Sequence, residues 1–158
     1  MNKFELVEKI CQQLEHNLKI AQSATQQAMS AATDEETVPE HKYDTLALEA
    51  SYLAHGQAMR VAEYEADLAQ YRALIMKEGM DKVALGALVE LVDVEDSYRY
   101  VYLGPCAGGI KVYHEGVEIS VVTPKSPIGA VLIGKVLDDE VSYQIGDNVF
   151  SYEISAID

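Results

Sequence analysis

The 158-residue chain has no tryptophan, two phenylalanines, two cysteines and four prolines, and its twelve basic residues face 26 acidic ones. Each shortage excludes a class of function. Cys11 and Cys106 lie far apart without a ligand-like spacing, which predicts two free thiols and no disulfide framework. His16, His41, His55 and His114 are equally scattered, so a histidine-built metal centre is not expected. A formal net charge of −14 argues against a grip on nucleic-acid phosphates, which needs clustered Lys and Arg. It directs attention instead to a basic protein groove or a divalent metal. No apolar run reaches the length of about 18 residues that a membrane span requires. Residues 1–10 mix charges with apolar side chains, unlike a signal peptide. A cytoplasmic, membrane-free protein is the expectation. Ser120 and Ser126 have no nearby His–Asp arrangement in sequence, so a serine nucleophile is not expected.

What the chain does contain is a charge-marked break between two long helical stretches. Between Lys19 and Arg60 the single basic residue is Lys42, while Asp34, Glu35, Glu36, Glu40, Asp44 and Glu49 crowd around Pro39. The first stretch runs from about Asn2 to Thr33. Val7, Leu14, Ala21 and Ala28 recur every seven residues, with Ile10, Leu18, Ala24 and Ala31 as the second seam. The next stretch starts near Pro39, which suits a helix's first turn, and Thr37 and Glu40 have capping-box spacing. It continues to Lys77 through Leu46, Ala50, Leu53, Gln57, Val61, Tyr64, Leu68, Tyr71 and Ile75. Gly56 interrupts it and would allow close approach to the alanines of the first arm. Residues 1–77 therefore predict an antiparallel coiled-coil hairpin with an acidic tip near 33–44.

Beyond a linker at Glu78–Asp81 the period becomes alternating. Strands are predicted at Leu88–Val94, Tyr98–Leu103, Ile110–Tyr113 and Val117–Val122, then as a hairpin at Val141–Ile145 and Val149–Ile154 turning at Gly146-Asp147-Asn148. Ser126-Pro127 before Ile128–Ile133 and Gly134 has the form of a short capped helix. Residues 78–158 thus form a small α+β domain, and the fold class is α+β throughout. Taken alone, the acidic tip is also compatible with a solvated turn. Acids at a helix start gain about 0.3–1 kcal/mol from the dipole, and like charges three or four apart lose about 0.2–0.5 kcal/mol.

The stretch Ile119-Ser120-Val121-Val122-Thr123-Pro124-Lys125-Ser126-Pro127-Ile128-Gly129-Ala130-Val131-Leu132-Ile133-Gly134-Lys135 resembles the C-terminal signature of the bacterial transcript cleavage factors GreA and GreB. Ser151-Tyr152-Glu153-Ile154 resembles that family's final strand, and Glu40 followed by Glu49 resembles the segment after its tip. The resemblance implies a transcription elongation factor and an FKBP-like domain at residues 78–158. It implies a hairpin inserted into the secondary channel of RNA polymerase, with docking centred on Ser126, Pro127 and Ile128. It further implies that Glu36 and Glu40, with Asp44 in support and Asp34 and Glu35 as alternatives, help hold a second Mg²⁺ of the polymerase active site during cleavage of backtracked RNA. No stably bound cofactor, no activity in isolation, only indirect contact with the RNA 3′ end and a monomeric state follow as expectations. Thr37 stands where the family's tip carries an Asp, which leaves open a secondary-channel regulator without cleavage activity. A coiled-coil adaptor and a prolyl isomerase are the remaining alternatives. The scarcity of aromatic rings other than tyrosine argues against the isomerase.

Overall fold

A computed structural model describes residues 1–33 and 44–158. Two long helices come first, α1 (Lys3–Thr33) and α2 (Asp44–Ala73). Five strands and a helix follow as β1 (Leu88–Val92), β2 (Tyr98–Leu103), β3 (Lys111–His114), β4 (Val117–Val122), α3 (Pro127–Leu132) and β5 (Glu140–Ile145). The last element is β6 (Asn148–Ile157). The chain divides into two compact units, one of residues 12–69 and the other of residues 1–11 with 70–158. The sequence boundary near residue 77 falls inside the second of these.

In the helical unit the seam of α1 is nearly as its heptads predict. Leu14, Ala21 and Ala28 are buried, and Leu18 and Ala24 are half-buried. Ala31 is exposed while Ala32 turns inward, a one-residue drift of the kind that 3.6 residues per turn imposes on a strict seven-residue repeat. On α2 the inward stripe is Ala47, Ala50, Ala54, Gln57, Val61, Tyr64 and Leu68. Leu46 (58% exposed) and Leu53 (56%) lie outside it, against expectation. Small residues occupy the stripe there, and this seam selects for close backbone approach over hydrophobic bulk. Gly56 also departs from expectation, because it is exposed and a Cβ there would meet nothing within 4 Å. Ile75 lies beyond the end of α2 and is exposed.

The two helices run antiparallel. Asn17, Ile20 and Ala21 share one small cavity with Arg60 and Tyr64. A parallel pair in that register would separate Thr33 from Asp44 by about 48 Å, more than the roughly 40 Å that eleven peptide links can span.

The other unit is built on one six-stranded sheet ordered β3-β4-β2-β1-β6-β5. All neighbours are antiparallel except β2 and β4, whose parallel register sets Tyr100 beside Ile119 and Leu103 beside Val122. The predicted strands are all present, β2 and β4 with the predicted limits and the other four with one or both ends shifted by one to three residues; β5 and β6 are joined through Gly146 and Asp147, with Ile145 paired to Asn148. A register shift between Glu90 and Leu91 bulges the β1–β6 pairing. One face of the sheet carries the core: Val89, Leu91, Val101, Leu103, Val141 and Ile154 pack with Ile128 and Leu132 of α3. By alternation the opposite face holds Tyr102 and Ile119, both fully buried.

The first turns of α1 belong to this unit and are clasped by it. The main-chain amide of Asn2 donates to Glu115 Oε1 at 2.9 Å, and Lys9 Nζ donates to the Tyr113 carbonyl at 3.0 Å. Lys3, almost completely buried, donates to the Lys77 carbonyl and lies 3.8 Å from the Asp158 carboxylate. Burial lowers the pKa of its ammonium, with Asp158 and Glu78 opposing that shift. Glu115 is held below the usual carboxylate range, first by the bond from Asn2.

Candidate functional site

The turn that leads into α3 is assembled from three residues with one hydrogen-bond network. Ser126 takes extended backbone angles, as a helix N-cap does, and its Oγ accepts from the Gly129 amide at 3.1 Å. The same hydroxyl donates to the Thr123 carbonyl at 2.7 Å, and the Ser126 amide donates to that carbonyl at 3.0 Å. Pro127 fits the first helical position because no amide is needed there. Gly129 allows the turn to close: a Cβ on it would come within 1.9 Å of the Thr123 oxygen.

Of the three residues expected to dock a partner, Pro127 faces outward and Ser126 is half-buried. Ile128 is 5% exposed and packed in the core, so it supports the turn from beneath. The outward surface at this turn is Lys125, Pro127 and Ala130. Asp34, Glu35, Glu36 and Glu40 lie outside the described residues, as do Thr37 and Pro39. Asp44 is the first residue of α2. Among the described residues no group of three or more His, Cys, Asp or Glu could hold a metal ion.

Beside the Ser126 turn the uncovered part of the sheet's core face forms two adjoining clefts. One, of about 520 Å³, is lined by Arg99, Lys111, Ser120, Thr123, Lys125, Ser126 and Ile128 among others. The second, of about 650 Å³, shares Arg99, Lys111 and Ser120 and adds Tyr98, Tyr100 and Glu118. Arg99 is half-buried, and its Nη1 donates to the Tyr143 hydroxyl at 2.8 Å. Its Cζ stands 6.0 Å from the centre of the Tyr152 ring. Burial works against the guanidinium's charge, but hydrogen bonds to Tyr152 and Tyr143 outweigh it and leave the pKa raised. The tyrosines are fixed in turn by stacking, with Tyr143 centred 5.2 Å from Phe150 and 6.3 Å from Tyr152. Lys111 is paired with Glu118 at 2.7 Å.

Sequence reasoning missed this cationic pocket. Its signal is present, since Arg99, Lys111 and Lys125 fall within 27 residues of an otherwise acid-rich chain. The β2–β4 and β3–β4 pairings together show that they converge.

The profile of the family described as "Transcription elongation factor, GreA/GreB, C-term" matches residues 77–158. A transcription elongation factor GreA of Thermodesulfovibrio yellowstonii is 30% identical over 155 residues, covering 95% of this chain and 90% of its own. A protein of the same name from Nitrosococcus oceani is 29% identical over 167 residues, covering 99% and 98%. The solved structure of GreA factor homolog 1 (Gfh1) of Thermus thermophilus aligns over 98% of this chain and 94% of its own, at 20% identity and a TM-score of 0.40.

Proposed function

The chain belongs to the GreA/GreB family of transcription elongation factors, and we propose from that premise that it docks on RNA polymerase and acts on the polymerase active site. The supporting observation is coverage: a named GreA is matched across 95% of this chain, so the helix pair and the sheet unit are both included. A factor of this kind needs no active site of its own. The helix pair occupies the secondary channel, and the sheet unit docks through the Ser126–Pro127 turn and the clefts beside it.

Glu36 and Glu40, with Asp44 in support and Asp34 and Glu35 as alternatives, are the carboxylates that would reach an Mg²⁺ shared with the polymerase. Such oxygen donors suit Mg²⁺, which commonly takes one or two carboxylates together with water and phosphate. When bound, the ion supplies Lewis-acid stabilisation of charge in phosphodiester hydrolysis. A second reading, a polymerase-binding regulator without cleavage activity, is favoured by Thr37 at the position where the family carries an Asp.

A stalled, backtracked transcription complex tests both readings. The parent protein should accelerate cleavage of the RNA 3′ segment. Glu36→Gln with Glu40→Gln should bind equally well but cleave at least tenfold more slowly and need more Mg²⁺. Equal cleavage by that variant would remove these two carboxylates from the mechanism. Inert parent protein that competes with an active Gre factor would select the regulator.

A further inference from the structure

Among the described residues Arg99 is a charged group without an opposite charge. The chain carries 26 acidic residues, yet among the described residues no carboxylate pairs with this guanidinium. Its partners are the Tyr143 hydroxyl and the hydroxyl and ring of Tyr152. A guanidinium has five N–H donors in a planar fork, so two phenols leave donors in hand. Arg99 lines both clefts, so its side chain borders open concave space. A guanidinium oriented by the Tyr143 hydroxyl, with no anion beside it among the described residues, is suited to take a carboxylate in two parallel hydrogen bonds.

We propose that Arg99 is a carboxylate-reading residue at the junction of the two clefts, and that it receives an Asp or Glu side chain from an acidic segment of the docked protein. This deepens the docking reading above and rests on it for the identity of the partner, the polymerase. Charge selects the occupant. Arg99 and Lys125 make the first cleft locally cationic, whereas the net charge of −14 repels a polyanion such as RNA before it arrives. A short acidic loop on a protein carries enough charge for the cleft without that long-range penalty. Lys111 contributes less, because Glu118 already neutralises it.

The test uses the whole chain and two variants. Arg99→Met keeps much of the aliphatic stem but removes the fork. Tyr143→Phe keeps the guanidinium and the ring stack but removes the bond that orients it. Polymerase affinity of the folded Arg99→Met protein should fall about tenfold or more at low salt and by less at high salt. Arg99→Lys should recover part of the loss, and Tyr143→Phe should lose a few-fold. An Arg99→Met affinity within twofold of the parent, or a loss of equal size at every salt concentration, overturns the proposal.

A separate arm needs no polymerase: a hexaglutamate peptide is titrated into the protein while the Arg99 Nε–H resonance is followed by NMR. A saturable shift that hexauridylate does not reproduce upholds the site even if polymerase binding is absent, a result that would sink the docking reading alone. No shift with hexaglutamate, or a larger one with hexauridylate, overturns the carboxylate assignment.

Discussion

The hydroxyl of Tyr71, in the last turn of α2, donates to the carbonyl oxygen of Cys106 at 3.0 Å, and a Cβ on Gly104 would lie 2.3 Å from that hydroxyl. Tyr71 is 2% exposed, so it has little room to withdraw. Gly104→Ala should therefore cost about 2–3 kcal/mol. Tyr71→Phe alone should cost about 1 kcal/mol through the lost hydrogen bond. Because the phenylalanine also removes the nearest clashing atom, the double variant should be less destabilised than the sum. A double-mutant cycle by urea unfolding reads this directly, and strict additivity would show that the two sites are not in contact.

Gly129 meets a harder obstacle. The atom nearest its missing Cβ is the main-chain oxygen of Thr123 at 1.9 Å, which cannot move without breaking the Ser126 cap. Gly129→Ala should destabilise the sheet unit by about 3 kcal/mol or more, while Ser126→Ala should lose only about 1 kcal/mol. Thermal unfolding ranks the two, and a Gly129→Ala protein that melts with the parent would contradict the geometry.

Tyr102 is fully buried, its hydroxyl has no hydrogen-bond partner among the described residues, and burial beside Cys11 pushes its pKa up to about 12. The folded state thus holds the phenolic proton more tightly than the unfolded chain, whose value is 10.0. Its contribution is complete below pH 10 and is lost as pH rises toward 12. A difference of that size between the folded and unfolded values corresponds to about 3 kcal/mol. Tyr102→Phe should flatten that part of the stability profile relative to the parent. At neutral pH it should be neutral or stabilising by up to about 1 kcal/mol, since no bond is lost. Denaturant unfolding at pH 8, 10 and 11 measures both effects.

Gly56 offers an improvement. It sits inside α2, is exposed, and faces open space. Gly56→Ala should raise the helical unit's stability by about 1 kcal/mol. Its midpoint in urea should rise with cleavage and polymerase binding unchanged; a fall would mean that the glycine serves a bend or a contact made only on the polymerase.

The helices and strands were legible because their periods are long and unmixed. Val7, Leu14, Ala21 and Ala28 are all buried as their spacing requires, and β2 and β4 have the predicted limits. The Ser126 cap was legible too, since a hydroxyl before Pro127 has few other roles. Leu46 and Leu53 misled because apolarity was taken to mark the seam, where small size at Ala47 and Ala54 decides it. The burial of Ile128 was not legible, because a motif does not distinguish the residue that shapes a turn from the one that is shown by it. Arg99 was illegible for a topological reason: Arg99 and Ser120 become neighbours through the β2–β4 pairing, and Tyr143 and Tyr152 approach from two later strands.

The clasp on α1 bears on how fast the protein assembles. Asn2, Lys3 and Lys9 hold residues 113, 115 and 158, so the sheet unit draws on two stretches separated by residues 12–69. Closing so long a loop as random coil would slow the search. A helical pair built through local turns between residues 12 and 69 would bring the two stretches together and shorten that search. Loosening the alanine seam should therefore slow acquisition of the sheet as well as weaken the helices, a kinetic debt that equilibrium melting alone would never reveal.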